Sequence, residues 1–192
     1  MDYKSGVINM KINMGCGWRN FGHDWIHIDG GDYEHLDYKT GVIEIPQLEN
    51  ESADLIYASH VIEYFDRNEI TEVLLEWKRI LKPGATLRLA VPNFTALCIL
   101  YLQGEIKLSN ALGPLYGRME MDGEYIYHKT TYDFESLKIL LDSLGFENIR
   151  LYDWRETEHA HFDDHSQAYF PHMDKQNGTL ISLNVECEKS EL

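Results

Sequence analysis

The stretch Lys11–Trp18, KINMGCGW, is a short apolar run that breaks into Gly-Cys-Gly. Only seven residues, WRNFGHD, separate it from a second apolar run, WIHID (25–29). Bare backbone at the end of a strand lets a ligand approach where a β-carbon would clash. Open α/β sheets take their ligands beyond the carboxyl ends of the strands, and Asp29 stands at such an end, placed to chelate two ribose hydroxyls. A dinucleotide site needs G-x-G-x-x-G opening a helix whose N-terminus faces the pyrophosphate. Here the third glycine position is Asn20, and seven residues fall short of the ~10–12 that a crossover helix uses. NAD and FAD are therefore disfavoured. S-adenosylmethionine, which carries no phosphate, needs only close backbone, a ribose acid and an apolar slot for adenine. Taken alone, the two features also fit a plain tight turn and a solvated acid.

The rest of the chain alternates strands with helices, which argues for a mainly parallel α/β sheet. Further strand candidates are GVIEI (41–45), ADLIYAS (53–59), TLRLAVP (86–92), NIRLYDW (148–154) and LISLNVEC (180–187). The clearest helix runs from Asp66 to Leu81, opened by an Asp66/Glu69 capping box and stopped by KPG (82–84). Its buried face is Ile70, Val73, Leu74, Trp77 and Leu81. A second runs from Asp133 to Leu144 and ends at Gly145. The last two strands are joined by a 25-residue excursion (155–179) with no helical pattern, so they form an antiparallel pair. Loops of this length in compact domains are commonly functional.

With 192 residues the chain is read as a single domain, 1–192. Seventeen basic against thirty-two acidic residues, a net charge of -15, opposes phosphate-backbone binding, so no nucleic acid partner is expected. The longest apolar run, FTALCILYL (94–102), is too short to cross a bilayer. With no leader pattern and three scattered cysteines, the expected setting is cytoplasmic.

The blocks INMGCG (12–17), WIHID (25–29), ADLIYASHVIEYF (53–65), LLEWKRILKPGATLRLAVPNF (74–94) and TYDFESLKILLDSLGFENIR (131–150) run in an order that resembles the class I S-adenosylmethionine-dependent methyltransferases. The similarity is greatest to a compact bacterial branch often linked to surface-sugar genes. The resemblance implies a Rossmann-like three-layer α/β fold with a mostly parallel sheet, an antiparallel last strand and abbreviated N-terminal helices. It implies that Gly15, Cys16 and Gly17 line the methionine end of S-adenosylmethionine and that Asp29 holds the ribose. It also implies that Ser59 and His60 close over the cofactor near the transferred methyl group. Relatives usually carry an acid that reaches the adenine amino group. Gly41 stands there, which leaves that contact to backbone at Val42 or Ile43.

The remaining polar candidates concern a small-molecule acceptor. His128, just before the second helix, suits proton removal near neutral pH. It falls in a cover segment (94–130) whose glycines at 113, 117 and 123 allow lid motion. Glu63 reads as a first-turn acid favoured by a helix dipole. The densest cluster, 156–175, contributes His161 and His165 as further base candidates. His159, Asp163, Asp164, Tyr169 and His172 are its acceptor-side candidates. It also invites a metal reading, because His-x-His on a strand points both rings one way. No motif fixes a ligand geometry, however, so a polar acceptor wall is favoured. The expected reaction is methyl transfer to an oxygen or nitrogen of a small polar acceptor, sugars among them. A catalytically silent partner protein and a metal-dependent hydrolase using the His159–Asp174 cluster are the alternatives. Finally, the missing N-terminal helices would leave one sheet face bare. The expectation is that residues 94–118 fold across it, or that a second copy of the chain covers it in a homodimer.

Overall fold

The computed structural model describes residues 9–121 and 123–191. Seven strands form one sheet in the order β3-β2-β1-β4-β5-β11-β8. They are β1 (Lys11–Met14), β2 (Trp25–Asp29), β3 (Tyr38–Lys39), β4 (Ala53–Ser59), β5 (Leu81–Pro92), β8 (Phe146–Leu151) and β11 (Ser182–Lys189). β3 to β5 run parallel through β1, while β11 is antiparallel to both of its neighbours. This is the Rossmann-like arrangement expected from the sequence.

One face is covered by helices α1 (Glu69–Ile80) and α4 (Phe134–Ser143). Alternation along the strands sends Ile12, Met14, Ile56, Ala58, Leu87, Leu89 and Val185 to this side. There they meet Ile70, Val73, Leu74 and Trp77 of α1 and Leu137 and Leu141 of α4. The Asp66/Glu69 box is present: the Asp66 N–H donates to Glu69 Oε2 over 2.9 Å, and the Glu69 N–H to Asp66 Oδ1 over 3.0 Å. α1 ends one residue before Leu81, and Ile80 joins its buried face.

GVIEI is not a strand; the third strand is the two-residue β3 upstream of it. The backbone of this loop is satisfied by α1 side chains rather than by a neighbouring strand. Trp77 Nε1 donates to the Val42 carbonyl over 2.8 Å, and the Ile45 N–H donates to Glu76 Oε1 over 2.8 Å. Arg79 reaches the Leu48 and Ile45 carbonyls. β8 likewise starts and stops earlier than the NIRLYDW run, because Asp153 caps a 3₁₀ turn at Trp154–Glu156.

Among the described residues the other face has no helix over β1 and β2, as the seven-residue connection requires. Its cover is not the 94–118 segment. Phe21, from the short connection, stacks on Tyr57 of β4 and on Phe162 of the long excursion, with ring centroids 5.9 and 4.7 Å apart. His159 lies buried against Phe21, Trp25 and Tyr57. Helices α2 (Phe94–Leu102) and α3 (Leu108–Tyr116) pack elsewhere, against Ile181, Ala168 and Phe170. Ile181 lies between β10 (Thr179–Leu180) and β11, and β10 pairs antiparallel with β9 (Tyr169–Phe170). A covering loop brings polar backbone and side chains, so this face is correspondingly polar. Asn184 Nδ2 donates to the Ser166 carbonyl over 2.9 Å, and Arg88 pairs with Glu186 and Glu158. The small hairpin of β6 (Met119–Met121) and β7 (Glu124–Ile126) completes the described elements.

Candidate active site

Beyond the carboxyl ends of β1, β2 and β4 lies a cavity of about 1050 Å³. Its floor is the glycine turn. Gly15 and Gly17 have φ of 64° and 56°, values that L side chains rarely adopt. The Gly15 and Cys16 N–H groups both donate to the Ile28 carbonyl. The Gly17 N–H donates to Asp29 Oδ2 over 2.8 Å and the Gly31 N–H to Asp29 Oδ1 over 2.7 Å. A carboxylate oxygen has a second lone pair, so Asp29, in the cavity wall, can still receive a pair of hydroxyls. Tyr33, Val42, half-exposed Ile43 and Trp18 supply the apolar surface beside it. Ser59 Oγ and His60 Nε2 are buried without a protein partner at the opposite edge. Close backbone, a ribose-competent acid, an apolar slot and unpaired polar atoms fit S-adenosylmethionine. Among the described residues no helix N-terminus between β1 and β2 is there to hold a pyrophosphate.

Of the residues singled out in the sequence, Gly15, Gly17, Asp29, Val42, Ile43, Ser59 and His60 line this one cavity. Cys16 does not. It is buried, its Sγ turned to the Gly17 carbonyl and 3.7 Å from His35 Nε2. Burial, aided by the charge of Asp29, pushes its thiol up to about 12, so it stays protonated.

The cavity continues past His60 to His128, His165, Tyr169 and His172. His128 is held by the hydrogen bond between Nδ1 and the Pro114 carbonyl, 3.1 Å long. The ring also packs against Gly117, where an added β-carbon would sit 2.5 Å from Nε2. A carbonyl can only accept, so Nδ1 carries the hydrogen and Nε2 is left to accept. Burial lowers this imidazole's affinity for a proton, leaving it neutral around neutral pH. Asp164 touches the cavity, but its carboxylate is occupied by the Tyr57 hydroxyl and by the N–H and hydroxyl of Ser166. The Tyr169 hydroxyl is bound by Arg155 and Trp154.

The remaining three excursion candidates lie outside the cavity. His159 is a packing residue on the sheet face, with both ring nitrogens unpartnered. His161 is exposed beside Phe162, and Asp163 pairs with Lys175 on the surface. The cluster that invited a metal is thus spread over three environments. Among the described residues no three His, Cys, Asp or Glu side chains converge as a metal site.

Sequence reasoning missed Arg19, Tyr64, Arg118 and Met121, all in the cavity lining. Arg19 lies two residues past Gly17, on the same turn, and could have been found there. The β6–β7 residues carry no periodic signal. Glu63 was misread: the turn at Ile62–Tyr64 is a three-residue 3₁₀ turn too short for a helix dipole, and the side chain is fully buried.

Residues 23–89 match the family model of a methyltransferase domain. No curated protein matches the chain in sequence. Solved structures that share the fold include a SAM-dependent methyltransferase from Archaeoglobus fulgidus, at 17% identity and TM-score 0.57, covering 94% of this chain and 86% of that one. A Methanosarcina mazei SAM-dependent methyltransferase is 16% identical, with TM-score 0.53 and coverage of 95% and 92%. The Burkholderia thailandensis 1,6-didemethyltoxoflavin-N1-methyltransferase, solved with bound 1,6-didemethyltoxoflavin and S-adenosylhomocysteine, is 11% identical, with TM-score 0.55 and coverage of 94% and 71%. The domain match over residues 23–89 and the sheet order are thus what the chain has in common with S-adenosylmethionine-dependent methyltransferases.

Proposed function

We propose that the chain transfers the methyl group of S-adenosylmethionine to an oxygen or nitrogen of a small polar acceptor, with sugar hydroxyls the first class to test. The observation that supports this reading is the continuity of the cavity. The glycine–Asp29 corner opens without a break onto a wall of His128, His165 and His172. Its volume of about 1050 Å³ is slightly above the ~300–1,000 Å³ common for single-ligand pockets, which leaves room for an acceptor beside the cofactor.

The bound cofactor supplies an electrophilic methyl carbon. The protein's own part is to align the acceptor atom, exclude water and take a proton. Gly15, Gly17 and Asp29 hold the nucleoside end, with Val42, Ile43 and Tyr33 against the base. Helix α3 and the β6–β7 hairpin, through Gly113, Pro114, Gly117, Met119, Met121 and Tyr125, cover the acceptor end as a lid. His128, neutral and fixed by Pro114, is the base, and His165 and His172 bind acceptor polar groups. His161 and Asp163, on the surface, have no part in the cavity chemistry.

Purified protein is incubated with S-adenosylmethionine and a panel of sugars, amines and small phenols, and S-adenosylhomocysteine formation is measured. Turnover with a sugar or other polar acceptor supports the reading. Calorimetry showing that neither S-adenosylmethionine nor S-adenosylhomocysteine binds would instead favour a silent partner protein. The hydrolase alternative is not favoured, because its cluster does not converge.

A further inference from the structure

Glu63 is the most anomalous side chain near the cavity. It is fully buried, and among the described residues neither carboxyl oxygen has a hydrogen-bond partner. Such burial is costly unless something offsets it. Oε1 lies 3.3 Å from Nδ1 of His60 and 3.9 Å from Nε2 of His128. Both histidines line the cavity, and Glu63 sits behind them.

The backbone is built to keep this cluster together. His60 adopts φ of 56° without being glycine, and strain of this kind collects at functional sites. Its N–H is held by the Ala90 carbonyl over 2.8 Å. The Glu63 carbonyl accepts from the N–H groups of Lys129 and Thr130, over 2.8 and 3.2 Å. That pair of bonds ties the His128 segment to the turn carrying His60 and Glu63.

We infer that Glu63 is a positioning residue that joins His60 and His128 into one proton-sharing unit in the cavity wall, and that this unit receives the acceptor's proton. This deepens the methyltransferase reading and rests on it. In the step, the acceptor O–H or N–H bond breaks and its proton goes to Nε2 of His128. The freed electron pair forms the bond to the methyl carbon, and the carbon–sulfur bond breaks with its pair left on the sulfur. The imidazolium so formed lies 3.9 Å from the Glu63 carboxyl. That carboxyl, neutral at rest, can pass its own proton on through His60 Nδ1, 3.3 Å away, and the carboxylate left behind stabilises the imidazolium.

The other groups facing the unit come from four elements. Tyr64 packs its ring edge-on to His128 at 4.7 Å. Tyr132 brings a buried, unpartnered hydroxyl whose proton is held more tightly by burial and by the charge of Glu63. His165 lies 5.0 Å from the His60 ring, and Arg19 belongs to the glycine turn. Lys129 turns its ammonium away to Glu69. Burial pushes the Glu63 carboxyl up to about 8, and it depresses both imidazoles. The resting unit is then uncharged at neutral pH and has room for one more proton.

The test begins on the ligand-free protein. Imidazole nitrogen resonances of His60 and His128 are followed by NMR from pH 5 to 9, in wild type and in Glu63→Gln. Wild type should show an inflection near pH 8 in both rings, from Glu63, and the variant should lose it. Kinetics with an accepted substrate should show kcat falling about 10-fold or more in Glu63→Gln, with the cofactor Kd unchanged and Glu63→Asp partly restoring kcat. If Glu63→Gln does not fold, the wild-type titration still decides, because an absent inflection in both rings overturns the unit. Its survival in Glu63→Gln, or an unchanged kcat, also overturns it. A protein that binds no S-adenosylmethionine overturns the methyltransferase reading instead, whatever the rings show.

Discussion

The Gly17 N–H donates to Asp29 Oδ2 across 2.8 Å, so the turn after the first strand is fastened by the acid that ends the second. One carboxylate thus shapes the backbone at its own site while facing the cavity. The architecture explains why no helix is needed between these strands: the bond from Asp29, with the Gly15 and Cys16 bonds to Ile28, closes the turn directly.

Asp29→Ala should weaken S-adenosylmethionine binding by ~1–3 kcal/mol, the usual worth of charged hydrogen bonds, which is roughly 5–150-fold in Kd. Part of this loss comes through the loosened turn. Asp29→Asn keeps an acceptor oxygen for one N–H group and should fall between the wild type and Ala. Calorimetric titration checks the series. Wild-type affinity in Asp29→Ala would remove the ribose assignment.

The two glycines separate steric from binding roles. A β-carbon at Gly15 would stand 2.5 Å from Val61 Cγ2, and its φ is already left-handed. Gly15→Ala should lose about 1–3 kcal/mol of stability in urea unfolding, with part recovered by adding Val61→Ala. Gly17 meets nothing within 4 Å. Gly17→Ala should therefore cost only the conformational strain, about 1–2 kcal/mol, yet obstruct the cofactor.

How far these features were legible beforehand depends on how local they were. The glycine turn, Asp29, the Asp66 capping box and the antiparallel last strand are written in contiguous residues. The GVIEI segment misled because Trp77, Glu76 and Arg79, some thirty residues away, take its backbone bonds. The His159–Asp174 cluster misled for a related reason. Polar density in a sequence does not say which side chains face solvent, a cavity or a sheet. Here Phe162, with intervening connections of over a hundred residues, meets Tyr57 and Phe21 and drags His159 under the aromatic rings. Glu63 could not be seen as special, because only the fold brings residue 128 beside it.

The pH dependence of stability should carry the mark of His159. Burial among aromatic rings lowers its affinity for a proton to about 4 from an ordinary 6.5. The unfolded chain therefore binds more protons between those values. Stability is full above about 6.5 and is lost as pH falls towards 4, by an amount on the order of 2–3 kcal/mol. Glu63 acts with the opposite sign: its raised folded value means that stability falls as pH rises from about 4.5 to 8. Comparing wild type with His159→Phe in urea unfolding at pH 7.5 and 5.0 isolates the first effect. The variant should lose less on acidification, and an equal loss would show that His159 does not titrate as a buried neutral ring.

The loop cover over β1 and β4 should behave as part of the core rather than as a surface excursion. Phe162 stacks on Phe21 at 4.7 Å, and Phe21 stacks in turn on Tyr57, whose hydroxyl donates to Asp164. Asp164 also fixes the 3₁₀ turn at His165–Gln167 through Ser166. Removing the ring in Phe162→Ala should destabilise the protein by about 2–4 kcal/mol, a little under a full core deletion because the residue is partly exposed. Since Asp164 and His165 follow it into the cavity wall, acceptor KM should rise while the Kd of S-adenosylmethionine, held from the glycine side, stays within about twofold. Hydrogen exchange should show faster opening confined to 155–168. Uniform loosening of the whole sheet would mean that the excursion and the cofactor corner are not separable in this way.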